Sequence, residues 1–186
     1  MIMTLTRIAC DGYAQLELNQ VAFRRDGRIE AQTPLKAFVA STGEDGFDAS
    51  HPAENGMLLV FDATGNKIKK PSAATDKVLL HYTSEHIYDE RTPGLKNFRL
   101  VPGEFYPRLG YLSTGDKYTT NCVSYDADTY ADEDALWTAV GANQFYAAPS
   151  TDGAHYISTS ATNAVAKVVK ATTMPDGQAA IQFIAL

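Results

Sequence analysis

The closing segment "AVAKVVKATTMPDGQAAIQFIAL" constrains the fold more than any other part of this 186-residue chain. Two runs rich in β-branched and apolar residues meet across Pro175-Asp176-Gly177. Proline presets φ, aspartate bonds its own backbone and glycine reaches positive φ, so the pair reads as a hairpin over residues 163–186. A period of two predicts Ile181, Phe183 and Ala185 on one face and Ala180, Gln182 and Ile184 on the other. The hairpin runs to the last residue given, so that end is expected inside a sheet.

The same grammar recurs upstream. Asp26-Gly27, Thr64-Gly65-Asn66 and Asp152-Gly153 each stand between strand-like segments, and "YAQLELNQVAF", "MLLVFD" and "KVLLHYT" are such segments. In the first of these, Leu16, Leu18 and Gln20 alternate with Glu17, Asn19 and Val21. "LNQVAFRRDGRIEAQTPL", residues 18–35, reads as two strands folded on a charged turn. Only "DEDALWTAVGA" reads as a helix, with Asp132 as its cap and Leu136, Trp137 and Val140 on one face before Gly141. The expectation is a mainly β fold. It is a single β-rich domain, sandwich or barrel-like, with long loops and at most one short helix; residues 1–12 form an N-terminal arm and 13–186 the body.

Hydrophobic residues make up 45% and charged residues 20%, enough apolar material for one real core. The net charge of −6 and the scattered lysines and arginines, such as Arg24-Arg25 and Lys67-Lys69-Lys70, leave no basic stripe to track a nucleic acid. No apolar run reaches the ~20 residues that span a bilayer. "MIMTLTRIACDGYAQ" lacks the basic-then-apolar order of a signal peptide. Cys10 and Cys122 have no metal or redox spacing, and free thiols are expected.

Catalytic and metal motifs fail on spacing. His81 and His86 are five apart, against the four that turns two imidazoles the same way on a helix. A calcium loop counted from Asp126 meets Tyr130, Ala131 and Trp137 at its fifth, sixth and twelfth places, where a ligand, glycine and glutamate are needed. A looser calcium site near Asp126 stays open beside the plainer reading of a helix cap and acidic turn. There is no G-x-S-x-G elbow and no phosphate-cradling glycine loop. No catalytic residue, metal ligand or cofactor is assigned. Residues 40–56 and 84–97 are long and irregular, which in a compact domain points to a purpose or to mobility. Phe47 is the lone large apolar group of the first loop: it either inserts into a partner or anchors the loop. Seven of the ten tyrosines, Tyr106 and Tyr156 among them, fall in the second half; sheet packing accounts for most, though tyrosine also suits interfaces and sugar platforms.

Read in order, several phrases resemble those of capsid decoration (cement) proteins of tailed bacteriophages. They are "ELNQVAFRRDGRIEAQTPL", "NGMLLVFDATGNKIKKPSA", "KVLLHYTSEHIYDE", the run "GDKYTTN" within "GLKNFRLVPGEFYPRLGYLSTGDKYTTN", and "MPDGQAAIQFIAL". The resemblance covers most of the chain. It implies a non-enzymatic virion protein, assembled in host cytoplasm, that binds the capsid exterior and stabilises the shell. Its partners would be the major capsid protein, with copies of itself as a second candidate, and no nucleic acid and no membrane. The contact residues expected are Ile2, Leu5, Phe47, His51 and Tyr88. A carbohydrate-binding or adhesive β-domain of a phage or bacterial surface is the first alternative, and an unrecognised hydrolase the second.

Overall fold

The computed structural model describes residues 4–41, 44–83 and 95–186. The chain runs through β1 (Leu5–Arg7) and β2 (Leu16–Gln20), a short helix α1 (Ala22–Asp26) and β3 (Ile29–Glu30). Then come β4 (Leu58–Asp62), β5 (Lys67–Lys69) and β6 (Val78–His81), and a 3-10 turn at Leu95–Asn97. After β7 (Leu109–Gly110), β8 (Lys117–Thr120) and β9 (Val123–Asp126) lies helix α2 (Glu133–Ala142). The last strands are β10 (Tyr146–Pro149), β11 (His155–Ser158), β12 (Ala166–Thr173) and β13 (Ala179–Ala185). They form an eight-stranded sheet, β1-β9-β11-β10-β12-β13-β8-β2, and a five-stranded sheet, β3-β7-β6-β4-β5. The fold is mainly β, in one compact domain.

The five-stranded sheet is apolar on both faces, which explains why "MLLVF" and "VLLH" are continuous apolar runs rather than alternating ones. Leu58 pairs with Leu80, and both join the core under the eight-stranded sheet. Leu59 pairs with Leu79, and both point the other way, with Ile68 and Leu109, into a second core. One two-strand ladder therefore feeds two cores.

The C-terminal hairpin forms as the sequence predicts. Ala166 to Thr173 pair with Ala185 to Ala179, interrupted by a bulge between Val168 and Lys170. Its outer strand goes further than a hairpin requires: β13 also pairs with β8, Phe183 opposite Tyr118, and so lies in the interior of the sheet. Ile181, Phe183 and Ala185 are buried, as is Ala180 of the other face, whereas Gln182 and Ile184 are half-buried. Helix α2 forms as predicted too. The Asp132 carboxylate accepts the Ala135 N–H at 2.8 Å, and Leu136 and Val140 are buried with Trp137 packed beside them. It runs through Gly141 to Ala142.

Residues 18–35 differ from the expected hairpin. Strands β2 and β3 lie in different sheets, and "AFRRD" is a helical turn between them. Gly27 ends that turn at φ 69°, a left-handed cap that glycine adopts without penalty. The reason is Phe23. Its ring is fully buried and lies against Gly110 so closely that a Cβ there would come within 2.4 Å of it. Anchoring that ring between the sheets outweighs the strand propensity of its neighbours. The fold thus holds a second, five-residue helix beside the expected one.

Part of the N-terminal arm is sheet. β1 pairs antiparallel with β9, Leu5 opposite Asp126 and Arg7 opposite Ser124. The Arg7 guanidinium grips Glu54 with two bonds, at 2.9 and 3.2 Å, and Glu54 also accepts the Ala14 N–H. The "GDKYTTN" run ties the same region down: Asp116 accepts from Ala22 N–H and Ser113 N–H, Thr120 donates to the Gln15 carbonyl, and Asn121 accepts from Gln15 N–H.

Phe183→Ala should cost about 3–5 kcal/mol, the usual range for emptying a phenylalanine site in a close-packed core. Urea unfolding monitored by circular dichroism measures it, and a loss below about 1 kcal/mol would contradict an interior position for β13.

Candidate contact surface

The expected contact residues scatter. Leu5 is a half-buried residue of the edge strand β1. Ile2 and Tyr88 lie outside the described residues, as does His86. His51 is exposed; its backbone N–H donates to the Asp48 carboxylate at 2.7 Å, and its ring stacks on Phe38 at 5.4 Å between centroids.

Phe47 requires a correction. Only 1% of it is exposed, and it sits in the second core with Leu35 and Ile68. Its N–H donates to the Lys36 carbonyl and its carbonyl accepts from Phe38 N–H, while the Lys70 ammonium lies over the ring at 5.3 Å. It is the loop's anchor and has no surface to offer a partner. The fold closes over it because a large ring stabilises an irregular loop most when desolvated.

Among the described residues, the exposed aromatic groups lie elsewhere, in "VPGEFYPRLG". Phe105 is 67% exposed and Tyr106 57%, side by side on a turn between Pro102 and Pro107. The turn is held from within. Glu104 N–H donates to the Val101 carbonyl at 3.3 Å, the Glu104 carboxylate accepts from Val101 N–H at 3.1 Å, and Arg99 approaches the same carboxylate at 3.8 Å. It is also held from behind: Arg108 accepts from Tyr82 N–H and donates to Thr83 Oγ1 at 2.9 Å, just before β7 joins the sheet. The bonds of Val101, Glu104 and Arg108 brace the backbone on either side of the two rings, which leaves less main-chain entropy to be lost on docking. Periodicity could not single them out, because exposure in a turn has no period. The bracketing prolines and Gly103 were the available signal.

Side chains that could do chemistry are largely engaged in the interior. His155 donates from Nδ1 to the Cys122 carbonyl at 3.1 Å, receives Tyr118 Oη–H on Nε2 at 3.0 Å, and stacks on Phe183. His81 donates from Nδ1 to the Glu54 carbonyl at 2.7 Å and accepts from Thr83 Oγ1 at 2.6 Å. Burial pushes both imidazoles down to about 4, against the opposing pull of those carbonyls, so both are neutral at pH 7 and their tautomers follow from their partners. Cys10 and Cys122 are free thiols; burial pushes Cys10 up to about 11 and Cys122 higher still.

The acidic run around Asp126 serves local turns. Asp126 accepts from Asp128 N–H and Thr129 Oγ1, and Asp132 caps α2. Among the described residues, no three potential metal ligands converge. Compared with family models, with curated proteins and with solved structures, the chain matches none.

Two outcomes follow. Phe47→Ala should lose about 3–5 kcal/mol, and Phe105→Ser should stay within about 0.5 kcal/mol of the parent, both by chemical unfolding. The histidines set a pH dependence. Their folded pKa values lie below the unfolded 6.5, so the unfolded chain binds more protons between pH 6.5 and 4. Their contribution is complete above pH 6.5 and is lost as pH falls toward 4, to roughly 3 kcal/mol per histidine. A melting temperature that falls through this window in the parent should fall less steeply in His155→Gln.

Proposed function

We propose that the protein is a structural component of a phage particle that binds the outer surface of the capsid shell and stabilises it. The observation that carries this reading is the braced Phe105-Tyr106 turn, an exposed aromatic pair on a stiff mount. The resemblance of the chain's strand-and-turn phrases to decoration proteins supports it. So does the use of the distinctive "GDKYTTN" run, whose Asp116, Thr120 and Asn121 fasten β2 and its approach to the main sheet. Those residues maintain a scaffold.

Shell binding asks for modest chemistry. Desolvating one aromatic side chain is worth about 1.5–3 kcal/mol, too little for tight attachment once the cost of association is subtracted. A shell presents its site many times on a symmetric lattice, so weak contacts suffice if copies also touch one another. The rings supply contact area with only two side-chain torsions each to fix.

The test is decoration of purified, undecorated shells of the parent phage, read by sedimentation and gel densitometry. Wild-type protein should saturate a fixed number of sites. The Phe105→Ser/Tyr106→Ser variant should require at least about tenfold more protein for the same occupancy, a loss of 1.4 kcal/mol, at an unchanged melting temperature. A wild type that stays in the supernatant, or a double variant that decorates equally well, would contradict the reading.

A further inference from the structure

A cleft of about 550 Å³ opens on the eight-stranded sheet where β9, β11 and β10 run side by side. Strand alternation places it on the outer face. Val123, Tyr125 and Ile157 point into the core, so Asp126, Tyr156 and Ser158 point away from it. The turn after β9 raises one wall with Tyr130, and the loop after β11 raises another. Its volume lies in the range of small-molecule sites.

The chemistry of the lining is selective. Asp126 is its one charged side chain at neutral pH, and seven of the fourteen lining residues are serine or threonine. Tyr130 and Tyr156 contribute phenols that burial and the neighbouring Asp126 keep protonated. Asp126 uses one lone pair of each oxygen on its own turn, Oδ1 for Asp128 N–H and Oδ2 for Thr129 Oγ1, which leaves a second on each for a ligand. Tyr130 is fixed by its ring contact with Phe145, 6.0 Å between centroids. An anion would meet a carboxylate with no lysine or arginine in the lining to offset it. The lining therefore selects against anions and suits a ligand rich in hydroxyls with an apolar C–H face for an aromatic ring.

We propose that this cleft binds a neutral saccharide, with Asp126 accepting vicinal sugar hydroxyls and Tyr156 packing on the apolar face of the pyranose. The wall hydroxyls complete the hydrogen bonding. The site is independent of the Phe105-Tyr106 turn, so it would give a shell-bound protein a second, sugar-directed contact. It would do the same for a protein that binds no shell.

Saturation-transfer NMR and calorimetry on the full chain test it. The neutral probes are the methyl glycosides of glucose, galactose, mannose and N-acetylglucosamine, with lactose and maltose; sialyllactose is the anionic comparison. At least one neutral probe should bind with a Kd of about 1 mM or tighter, and sialyllactose more weakly than lactose. Tyr156→Ala and Asp126→Asn should each weaken that binding at least about tenfold, whereas Phe105→Ser should leave it unchanged, which separates this site from the shell contact. Asp126→Asn keeps an oxygen for its turn and carries the test if Tyr156→Ala fails to fold. Absence of binding by every neutral probe, preference for sialyllactose, or undiminished affinity in Asp126→Asn would overturn the proposal.

Discussion

The ladder between β4 and β6 is the constraint on which the rest of the molecule depends. Leu58 and Leu80 face one core, Leu59 and Leu79 the other, so a one-residue slip of either strand would exchange that strand's two leucines between the cores. Both cores would then be mispacked together. The ladder also fixes what lies at its ends. His81, the last residue of β6, holds the Glu54 carbonyl, and Glu54 holds Arg7 of β1. The five-stranded sheet thereby positions the edge strand of the other sheet.

Polar interior groups complete this arrangement. His155, Tyr118 and the Cys122 carbonyl form a short chain of hydrogen bonds under Phe183, where a missing partner would cost more than a made bond contributes. This is an economical use of reactive residue types. The imidazoles of His81 and His155, the Tyr118 phenol and the Cys122 thiol are here buried and neutral, each with a hydrogen-bond partner, the thiol accepting from Arg7 at 3.5 Å. What faces outward is of another kind: an aromatic pair on a braced turn, and a hydroxyl-rich cleft on the outer face of the large sheet. We propose a recognition role for each.

Much of the fold was legible in the sequence, for identifiable reasons. The C-terminal hairpin combines a strong turn with two strongly β-forming runs, and α2 carries its own cap in Asp132. The β4 and β6 strands announce themselves as unbroken apolar runs. The failures are also physical. "AFRRD" is too short for helical periodicity to register, and its conformation is decided by where Phe23 docks, against Gly110 far along the chain. Phe47 in a polar loop has no local signal saying whether it points in or out; the answer rests with Lys36, Phe38 and Lys70 around it. Phe105 and Tyr106 were equally hidden, because a turn's exposure is set by what fails to cover it. The candidate contact surface was thus the least legible part, since it is defined by tertiary shape rather than by local pattern.

The central claim, that this is a shell-binding protein whose contact is the Phe105-Tyr106 turn, is tested most directly by a cryo-electron microscopy reconstruction of the decorated particle. The account predicts density for the two-sheet body on the outside of the shell, with residues 101–108 facing it and both rings buried at the contact. Density seating another face of the molecule on the shell with these rings left in solvent, or a particle without such density, would contradict it.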